Sequence, residues 1–355
     1  MSLEDLRAKI DKFDDRIVKL IAERVRIAEE IGRLKKEQGL QIEDIAREKL
    51  VLKSVRELAD EEKINQEDME RIFRQIISAS KNVEATEIAF QGETGAYSEE
   101  AASQFFGPLI QTEPCESVDD VFKTVEQGET PFGIIAIENS LEGSISRSYD
   151  LLLDSNLMVC GETELKVVHC LIVNPGTRLD AIKKVYSHPQ ALGQCHTYLR
   201  HLNCELVPTY DTAGSVKMIK EKRISDGAAI ASNRAAEIYG MQVIAREIED
   251  NPNNFTRFFI LAKQDAPPSG NDKTSIVFSV QHRAGALYEF LNTLALNKIN
   301  LTKIESRPTR QKPWEYNFYL DFEGHHEDKN SKEALEELGK TAVFIKVLGS
   351  YRKAQ

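Results

Sequence analysis

The placement of proline and glycine divides this 355-residue chain into two unlike parts. The first 85 residues hold none of the 11 prolines and only two of the 19 glycines, Gly32 and Gly39. Both residue types interrupt helices, and both recur throughout the rest of the chain. We therefore expect long helices in the first segment and shorter elements, separated by turns, in the remainder.

The composition restricts the class of protein. Hydrophobic residues make up 41% and charged residues 29% of the chain, as in soluble globular proteins, and the length predicts two or three domains. Acidic residues exceed basic ones by 57 − 46 = 11, so the net field disfavours nucleic acid and anionic membrane as partners. The N-terminus is acidic and no apolar run approaches about 18 residues, which predicts a cytoplasmic location.

The five cysteines form no C-x-x-C pair. This spacing argues against a disulfide framework and against a zinc site, and it fits a reducing compartment. We expect no metal and no other cofactor.

Three segments follow from the pattern of predicted elements. After the helical part, β-branched runs alternate with helical stretches from about Glu87 to Lys263 and predict an α/β domain. A linker rich in proline, glycine and polar residues comes next. From Thr274 to Tyr351 the order is βαββαβ, which predicts a ferredoxin-like α+β sheet. The predicted boundaries of this multidomain chain are 1–85, 86–263 and 273–351.

Charged residues interrupt the apolar pattern of the first helix. Hydrophobic side chains follow 3-4 spacing from Leu3 to Leu34, which predicts about nine helical turns with a coiled-coil-like seam. Arg24 occupies a seam position, and Lys35 returns to within about 20° of it. Arg7 points about 100° away and could reach the pocket of a partner subunit. The stripes of the next two predicted helices also run into polar residues: Asp44, Arg47, Glu48, Ser80 and Glu84.

For any single residue of this set, an internal salt bridge is the simpler interpretation. The whole set better suits a small dianion. Five stretches then carry a family resemblance: Leu-Arg-Ala-Lys-Ile-Asp from Leu6, Ala-Glu-Arg from Ala22, Ile-Gly-Arg-Leu-Lys from Ile31, Asp-Ile-Ala-Arg-Glu from Asp44 and Phe-Arg-Gln-Ile-Ile-Ser-Ala-Ser from Phe73. Together they resemble the all-helical chorismate mutase family over about residues 1–85.

This resemblance implies that two chains interlock, as a homodimer or higher homo-oligomer, and bind chorismate among their helices. The rearrangement to prephenate needs positioning and electrostatic stabilisation but no nucleophile or metal. The implied contacts are Arg7 of the partner subunit, Arg24, Arg47 and Ser80 for the carboxylates, Asp44 and Glu48 for the hydroxyl, and Lys35 for the ether oxygen.

Glu84 departs from the family pattern, because many members carry Gln there as a second donor to the ether oxygen. An ionised Glu only accepts hydrogen bonds and would repel that oxygen. We therefore hypothesise that Glu84 acts in its protonated form as a catalytic residue, so that mutase activity falls as the pH rises. A pH profile left unchanged by Glu84→Gln would contradict this.

Polar residues follow the predicted strands of the middle segment. Ser98, Asn139, Ser140 and Gln190 each stand shortly after a strand. Open α/β sheets bind ligands at such strand ends, although any one of these residues is more simply a helix cap. The glycines after the first strand are spaced G-x-x-G, which is not a dinucleotide fingerprint.

The last strand of this segment begins with a hydroxyl and a charge before it becomes apolar. Thr256 and Phe258 should share one face and Arg257 the other, and composition alone indicates an edge strand. Four motifs occur in an order that resembles prephenate dehydratases over about residues 87–263: Gly-Glu-Thr-Gly-Ala-Tyr-Ser, Glu-Asn-Ser-Leu-Glu-Gly, Ser-His-Pro-Gln-Ala-Leu-Gly-Gln-Cys and Thr-Arg-Phe.

The resemblance implies two α/β subdomains, similar to periplasmic-binding-protein lobes, with a cleft between them and a catalytic Thr256. Prephenate would lose CO₂ and a ring hydroxyl to give phenylpyruvate. We expect no covalent catalysis, because His188 precedes a proline as a helix N-cap and Cys195 falls within a helix. The implied substrate contacts are Ser98, Glu138, Asn139, Ser140, Gln190, Thr256 and Arg257.

The C-terminal segment carries Gly-Ala-Leu-Tyr from Gly285 and Glu-Ser-Arg-Pro from Glu305. Taken alone, these motifs mark a helix start and the end of an edge strand. With the βαββαβ order they resemble the ACT regulatory domain of prephenate dehydratases. The resemblance implies that L-phenylalanine binds at a dimer interface and inhibits the dehydratase. The implied contacts are Gly285, Ala286, Leu287, Asn300, Leu301, Glu305 and Ser306.

The leading interpretation is a bifunctional enzyme, an isomerase and a lyase, that converts chorismate to prephenate and then to phenylpyruvate under feedback by L-phenylalanine. A dehydratase that prefers arogenate and a non-catalytic amino-acid sensor are the alternatives. Thr256 and the cationic helix set favour an enzyme over a sensor.

Overall fold

The structure is a computed structural model, and it describes residues 3–37, 45–81, 87–107, 110–309 and 315–354. The chain forms two compact units, one built from the N-terminal helices with residues 105–111 and one from the rest of the chain. Within the described ranges, no helix combines the length and the apolar character needed to cross a bilayer.

The described part of the N-terminal unit contains three helices: α1 Leu3–Glu37, α2 Ile45–Glu61 and α3 Gln66–Lys81. The 35-residue α1 confirms the long helix predicted from the absence of proline. α3 packs against both other helices, and Val55, Ala59 and Ile77 are buried. The apolar seam of α1 is 46–62% exposed in the single chain: Leu6, Ile10, Phe13, Ile17, Leu20, Ile27, Ile31 and Leu34.

The α/β segment alternates strands and helices, as predicted. Its strands are β1 Glu87–Gln91, β2 Gln111–Cys115, β3 Phe132–Asn139, β4 Gly143–Ser144, β5 Met158–Lys166, β6 Cys170–Val173, β7 Lys184–Ser187, β8 Glu205–Pro208, β9 Gly227–Ala231, β10 Gln242–Ala245 and β11 Phe255–Ala262. Its helices are α4 Tyr97–Phe106, α5 Val118–Gln127, α6 Ser146–Asp154, α7 Pro189–Gln194, α8 His196–Leu199, α9 Thr212–Glu221 and α10 Asn233–Tyr239. The strands form two sheets and hence two lobes, which confirms the predicted class.

In the first lobe the sheet order is β2-β1-β3-β11-β5, and the short β4 pairs with β3. β1 and β3 are parallel, whereas β11 is antiparallel to both β3 and β5. β11 is therefore an internal strand, and the edge position expected from its composition is wrong. In the sequence, β11 follows the whole second lobe, so its partners β3 and β5 are distant from it along the chain.

The second lobe contains the sheet β10-β6-β9-β7-β8. The chain crosses between the lobes twice, through residues 167–169 and 246–254. The two crossing segments are hydrogen-bonded, because Val167 N donates to Asn254 O at 2.8 Å. Residues of both segments consequently lie at the junction of the lobes.

The C-terminal domain consists of β12 Asp272–Ser279, α11 Ala286–Leu296, β13 Leu301–Pro308, β14 Tyr316–Glu323, α12 Lys329–Thr341 and β15 Phe344–Arg352. Its antiparallel sheet, β13-β14-β12-β15, confirms the predicted ferredoxin-like fold. One face of the sheet packs on α11 and α12. The other face meets the first lobe, where Val277, Tyr319 and Tyr351 share a buried cluster with Phe259 and Leu261.

Candidate active site

Two neighbouring strands, β3 and β11, bring Asn139 and Thr256 together. The two residues are paired in the antiparallel register, and Asn139 Nδ2 donates to Thr256 Oγ1 at 3.0 Å. Both side chains are buried, with relative exposures of 4% and 9%. The structure thus joins two of the residues that the sequence indicated for substrate contact.

The backbone determines which way the Asn139 amide points. Its Oδ1 accepts from the N–H groups of Leu141 and Glu142, at 3.0 and 3.1 Å. Its Nδ2 therefore faces Thr256 Oγ1 and, at 2.8 Å, Asn254 Oδ1. Because the Thr256 oxygen accepts a bond from Asn139, its hydroxyl proton can go to another acceptor, and the described residues offer none.

The hydrogen-bond chain continues through the lobe junction. Asn254 Nδ2 donates to Gln194 Oε1 at 2.9 Å, and the same oxygen lies 3.0 Å from His169 Nε2. Tyr97 Oη lies 3.0 Å from His169 Nδ1 and donates to Val168 O at 2.7 Å. Gln194 Nε2 is buried and has no hydrogen-bond partner in the described part of the chain. An unpaired buried donor of this kind indicates a place for a ligand or a water.

Sequence reasoning missed Asn254, Gln194 and His169. Gln194 stands in the same motif as Gln190, which the sequence indicated instead. Gln190 is exposed in the first turn of α7, where its N–H donates to His188 Nδ1 at 3.3 Å; His188 is thus the predicted N-cap. Gln194, one helical turn further on, is the residue that joins the chain from Thr256.

The two indicated serines have different positions. Ser140 Oγ accepts from Phe255 N and donates to Asn253 O, both at 2.9 Å. Ser140 therefore fastens the end of β3 to the start of β11. Ser98 is half-buried in the first turn of α4.

Arg257 points to the opposite face of β11 from Thr256, as strand alternation predicts. Its guanidinium pairs with Glu162 of β5 and with Asp321 of β14, each at 2.7 Å. Lys273 of β12 also pairs with Glu162, at 2.9 Å. These four residues form a buried ion cluster between the first lobe and the C-terminal sheet. The structure therefore directs the guanidinium of Arg257 away from Thr256.

Glu138 forms a second link to the C-terminal domain. Its Oε2 lies 2.6 Å from Lys303 Nζ on β13, and the same ammonium lies 3.5 Å from Glu305 Oε2. Glu305 also bonds Ser144 of β4. One lysine thus joins a residue indicated for substrate contact to one indicated for effector contact.

The effector residues indicated by the sequence lie around the start of α11 and on β13. Gly285 caps α11 with a φ of 84°, a left-handed conformation that favours glycine. Ala286 is buried, and Asn300 Nδ2 donates to Glu323 Oε2 at 3.0 Å. The remaining members are Leu287 on α11 and Leu301, Glu305 and Ser306 on the edge strand β13.

In the helical unit, Arg24 is half-buried and its Nη1 donates to Ile76 O of α3 at 3.4 Å. Arg7 and Arg47 are exposed. The other residues predicted for chorismate lie outside the described residues, wholly or by their side chains: Lys35, Asp44, Glu48, Ser80 and Glu84. The described structure thus ties Arg24 of α1 to a second helix.

Cys195 is a potential nucleophile, and the group formed by Asp265, His325 and His326 is a potential metal site. Cys195 lies between α7 and α8, rather than inside one helix, and burial raises the pKa of its thiol, which disfavours a reactive thiolate. In the described ranges, Asp265, His325 and His326 have potential ligand atoms within 4.8 Å of one another. Backbone groups engage both ring nitrogens of His325, and His326 Nδ1 lies 3.2 Å from Asp265 Oδ2. Protein groups therefore contact both histidines of this cluster.

Comparison with known proteins covers all three parts of the chain. The sequence matches the type II chorismate mutase family over residues 6–85, the prephenate dehydratase family over residues 88–266 and the ACT domain over residues 274–340. A bifunctional chorismate mutase/prephenate dehydratase of Stutzerimonas stutzeri is 41% identical over 360 residues, which cover 99% of this chain and 98% of the relative.

Two solved structures are similar with a TM-score of 0.69, each over 75% of this chain. One is the prephenate dehydratase of Arthrobacter aurescens in complex with L-Phe, which is 30% identical and covered to 90%. The other, described as GqqA, a novel type of quorum quenching acylase, is 34% identical and covered to 97%.

Proposed function

This chain belongs to the family of bifunctional chorismate mutase/prephenate dehydratases, and we propose how its residues divide the two reactions. The enzyme rearranges chorismate to prephenate and then removes CO₂ and water from prephenate to give phenylpyruvate, for L-phenylalanine biosynthesis. We assign the first step to the helical unit and the second to the two-lobed α/β segment. The observation that carries the second assignment is the oriented hydrogen bond from Asn139 to Thr256.

The dehydratase step needs a donor at the oxygen that departs. As the C–CO₂ bond of prephenate breaks, its electron pair enters the ring and expels the ring hydroxyl, which takes up a proton and leaves as water. The Thr256 O–H donates to this oxygen, because the Thr256 oxygen already accepts from Asn139. An alcohol is a weak acid, so Thr256 acts as a positioned hydrogen bond while aromatisation supplies most of the driving force.

The substrate oxygens need further donors. Gln194 Nε2 is buried without a partner among the described residues and is suited to this role. Ser98 lies in the first turn of α4 together with Glu99 and Glu100, and it stays a predicted contact. Gln190 and Ser140 stay predicted contacts. Glu138 and Arg257 reach substrate only if their ion pairs with the C-terminal domain open.

Thr256 provides the test of this assignment. Thr256→Ala should lower phenylpyruvate formation from prephenate by about 100-fold or more, while chorismate mutase activity in the same protein is unchanged. Thr256→Ser keeps the hydroxyl and is the matched control. Full dehydratase activity in Thr256→Ala would overturn the proposal. If the wild-type enzyme turns over arogenate faster than prephenate, it is an arogenate-preferring dehydratase.

For the mutase step, we propose that fixed cations hold chorismate in its reactive conformer and stabilise the charge that develops on the ether oxygen. Arg24, Arg47 and Arg7 of the partner subunit take the carboxylates, and Lys35 with protonated Glu84 takes the ether oxygen. The bond from Arg24 to Ile76 O supports this, because it anchors the guanidinium to a second helix.

A homodimer accounts for the exposed seam of α1. The helix is about 52 Å long at 1.5 Å per residue, and a soluble monomer rarely exposes an apolar patch of that extent. A second copy would cover the seam and supply Arg7. Light scattering should give at least twice the 40.1 kDa chain mass, and Ile17→Lys should lower it toward one chain.

We also propose L-phenylalanine as the effector of the C-terminal domain, because the similar Arthrobacter enzyme was solved with that amino acid. Calorimetric titration of the full chain tests this, and an absence of binding would remove the regulatory role. None of the five cysteines forms a disulfide, which fits our proposal of a cytoplasmic enzyme.

A further inference from the structure

His169 lies at the far end of the hydrogen-bond chain from Thr256. It is 2% exposed, and burial lowers the pKa of its imidazole, which is therefore neutral near pH 7. A neutral imidazole carries one hydrogen, on either Nδ1 or Nε2. The nitrogen that carries it determines how the neighbouring Gln194 amide can be oriented.

The other end of the chain determines the direction of every bond in it. Two backbone N–H groups hold Asn139 Oδ1, so Asn139 donates to Asn254, and Asn254 donates to Gln194 Oε1. That oxygen can only accept, so the His169 nitrogen 3.0 Å away has to donate to it. The network therefore requires the hydrogen on His169 Nε2.

The opposite tautomer would place like groups face to face. With the hydrogen on Nδ1, the Nε2 lone pair would oppose Gln194 Oε1. If the amide flipped instead, its nitrogen would face Asn254 Nδ2, which is another donor. Either arrangement leaves a buried polar group without a matching partner, which is destabilising.

The Nε2–H tautomer of His169 disturbs fewer hydrogen bonds than the Nδ1–H tautomer. Burial raises the pKa of Tyr97 far above its ordinary value, so its hydroxyl keeps its proton. This proton is shared between His169 Nδ1, at 3.0 Å, and Val168 O, at 2.7 Å. One hydrogen then serves two acceptors at Tyr97, but the hydroxyl can rotate between them, whereas the bonds to Gln194 Oε1 are fixed from Asn139. The Nε2–H tautomer is therefore the more stable.

We infer that His169 is a positioning residue of the dehydratase site: its Nε2–H holds the Gln194 amide so that the nitrogen is left for the substrate. Gln194 Nε2 is the buried donor that has no partner in the described part of the chain. The inference rests on the proposed function, because prephenate supplies the anionic oxygens. A reversed amide would present a carbonyl oxygen to the anion, whereas Asn139 would still orient Thr256.

The tautomer can be measured directly on the full chain. In protein labelled with [¹⁵N]histidine, long-range ¹H–¹⁵N spectra at pH 7–8 should show His169 protonated at Nε2 and unprotonated at Nδ1. The spectrum of His169→Gln assigns this signal among the seven histidines. Protonation at Nδ1 would overturn the inference, whether or not the enzyme is active.

Two variants test the effect on catalysis. His169→Gln keeps an N–H near the position of Nε2, and the KM for prephenate should stay within about threefold of wild type. His169→Leu has no donor, and its KM should rise about 10-fold or more, equivalent to about 1.4 kcal/mol, with a smaller change in kcat and unchanged mutase activity. Equal KM values in the two variants would refute the positioning role. A wild-type protein without dehydratase activity would refute the proposed function, and the spectrum would still decide the tautomer.

Discussion

Asn139 makes a set of hydrogen bonds that its isosteric acid cannot reproduce. The amide nitrogen donates to Asn254 Oδ1 and Thr256 Oγ1, whereas a carboxylate would set an oxygen against both. The Thr256 hydroxyl would then donate to the new carboxylate instead of to the substrate. We expect Asn139→Asp to lower the dehydratase kcat by about 100-fold or more and to leave the mutase unchanged. Asn156→Asp, at an exposed position of the same lobe, is the control, and an equal loss there would point to a general effect of added charge.

Some residues of this site can be predicted from the local sequence pattern, whereas others depend on packing between distant segments. Asn139 and Thr256 stand at ends of predicted strands, and strand pairing brings them together. Gln190 and Gln194 are four residues apart, about 40° around a helix, so periodicity cannot choose between them. The choice depends on the crossing segment 246–254, which brings Asn254 against the end of α7. No local signal carries that information.

At the next scale, α2 and α3 are joined by one carboxylate between two guanidiniums. Glu70 on α3 is buried and bonds Arg74 of the same helix, at 2.5 Å, and Arg56 of α2. Hydrogen bonds from Arg74 and then Arg56 hold the pKa of Glu70 below its ordinary value. A lowered pKa in the folded state stabilises the helix pair above the unfolded pKa, and this stabilisation is lost as the pH falls through the folded pKa.

Glu70→Gln should therefore raise the amide hydrogen exchange of α2 and α3 at pH 7. The difference from wild type should shrink as the pH falls from the unfolded glutamate pKa, about 4.3, through the lowered folded pKa, because the wild-type carboxylate then becomes protonated as well. Mass spectrometry of the full chain, with variant and wild type compared at each pH, measures this locally. Glu67→Gln, exposed on the same helix, should have little effect. A difference independent of pH would contradict a role for the ionised group.

The elements themselves were largely predictable, because proline-free periodicity marks α1 and alternation marks the strands. The position of β11 in the sheet could not be predicted in this way. Its residues alternate as expected, with Thr256 on one face and Arg257 on the other, but its place between β3 and β5 comes from a return of the chain through the second lobe. The sequence of a strand indicates which of its faces are buried, but it does not indicate which strands lie next to it.

Across the whole molecule, strand alternation connects the dehydratase site to the C-terminal domain. Asn139 and Thr256 face one side of the first sheet, and the residues directly before and after them in the chain, Glu138 and Arg257, face the other. Arg257 belongs to the buried ion cluster, and Glu138 pairs with Lys303 of β13. A shift of the C-terminal sheet would therefore act on residues covalently adjacent to the site. This arrangement gives feedback a physical route, because the effector need only favour one packing of the two domains.

Lys303 provides the test of this route, since it links Glu138 to Glu305. Lys303→Met keeps most of the apolar stem and removes the charge, so L-phenylalanine should still bind, within about threefold by calorimetry, but should inhibit the dehydratase far less. Coupling free energies of about 1–3 kcal/mol correspond to 5–150-fold effects, so the loss of one differential contact is measurable as a rise in residual activity at saturating effector. Lys346→Met is the matched control, because its ammonium bonds carbonyl oxygens of Leu152, Leu153 and Ser155 at the same interface without contacting Glu138. If both variants lost inhibition equally, the interface as a whole, and not the Glu138 link, would transmit the signal.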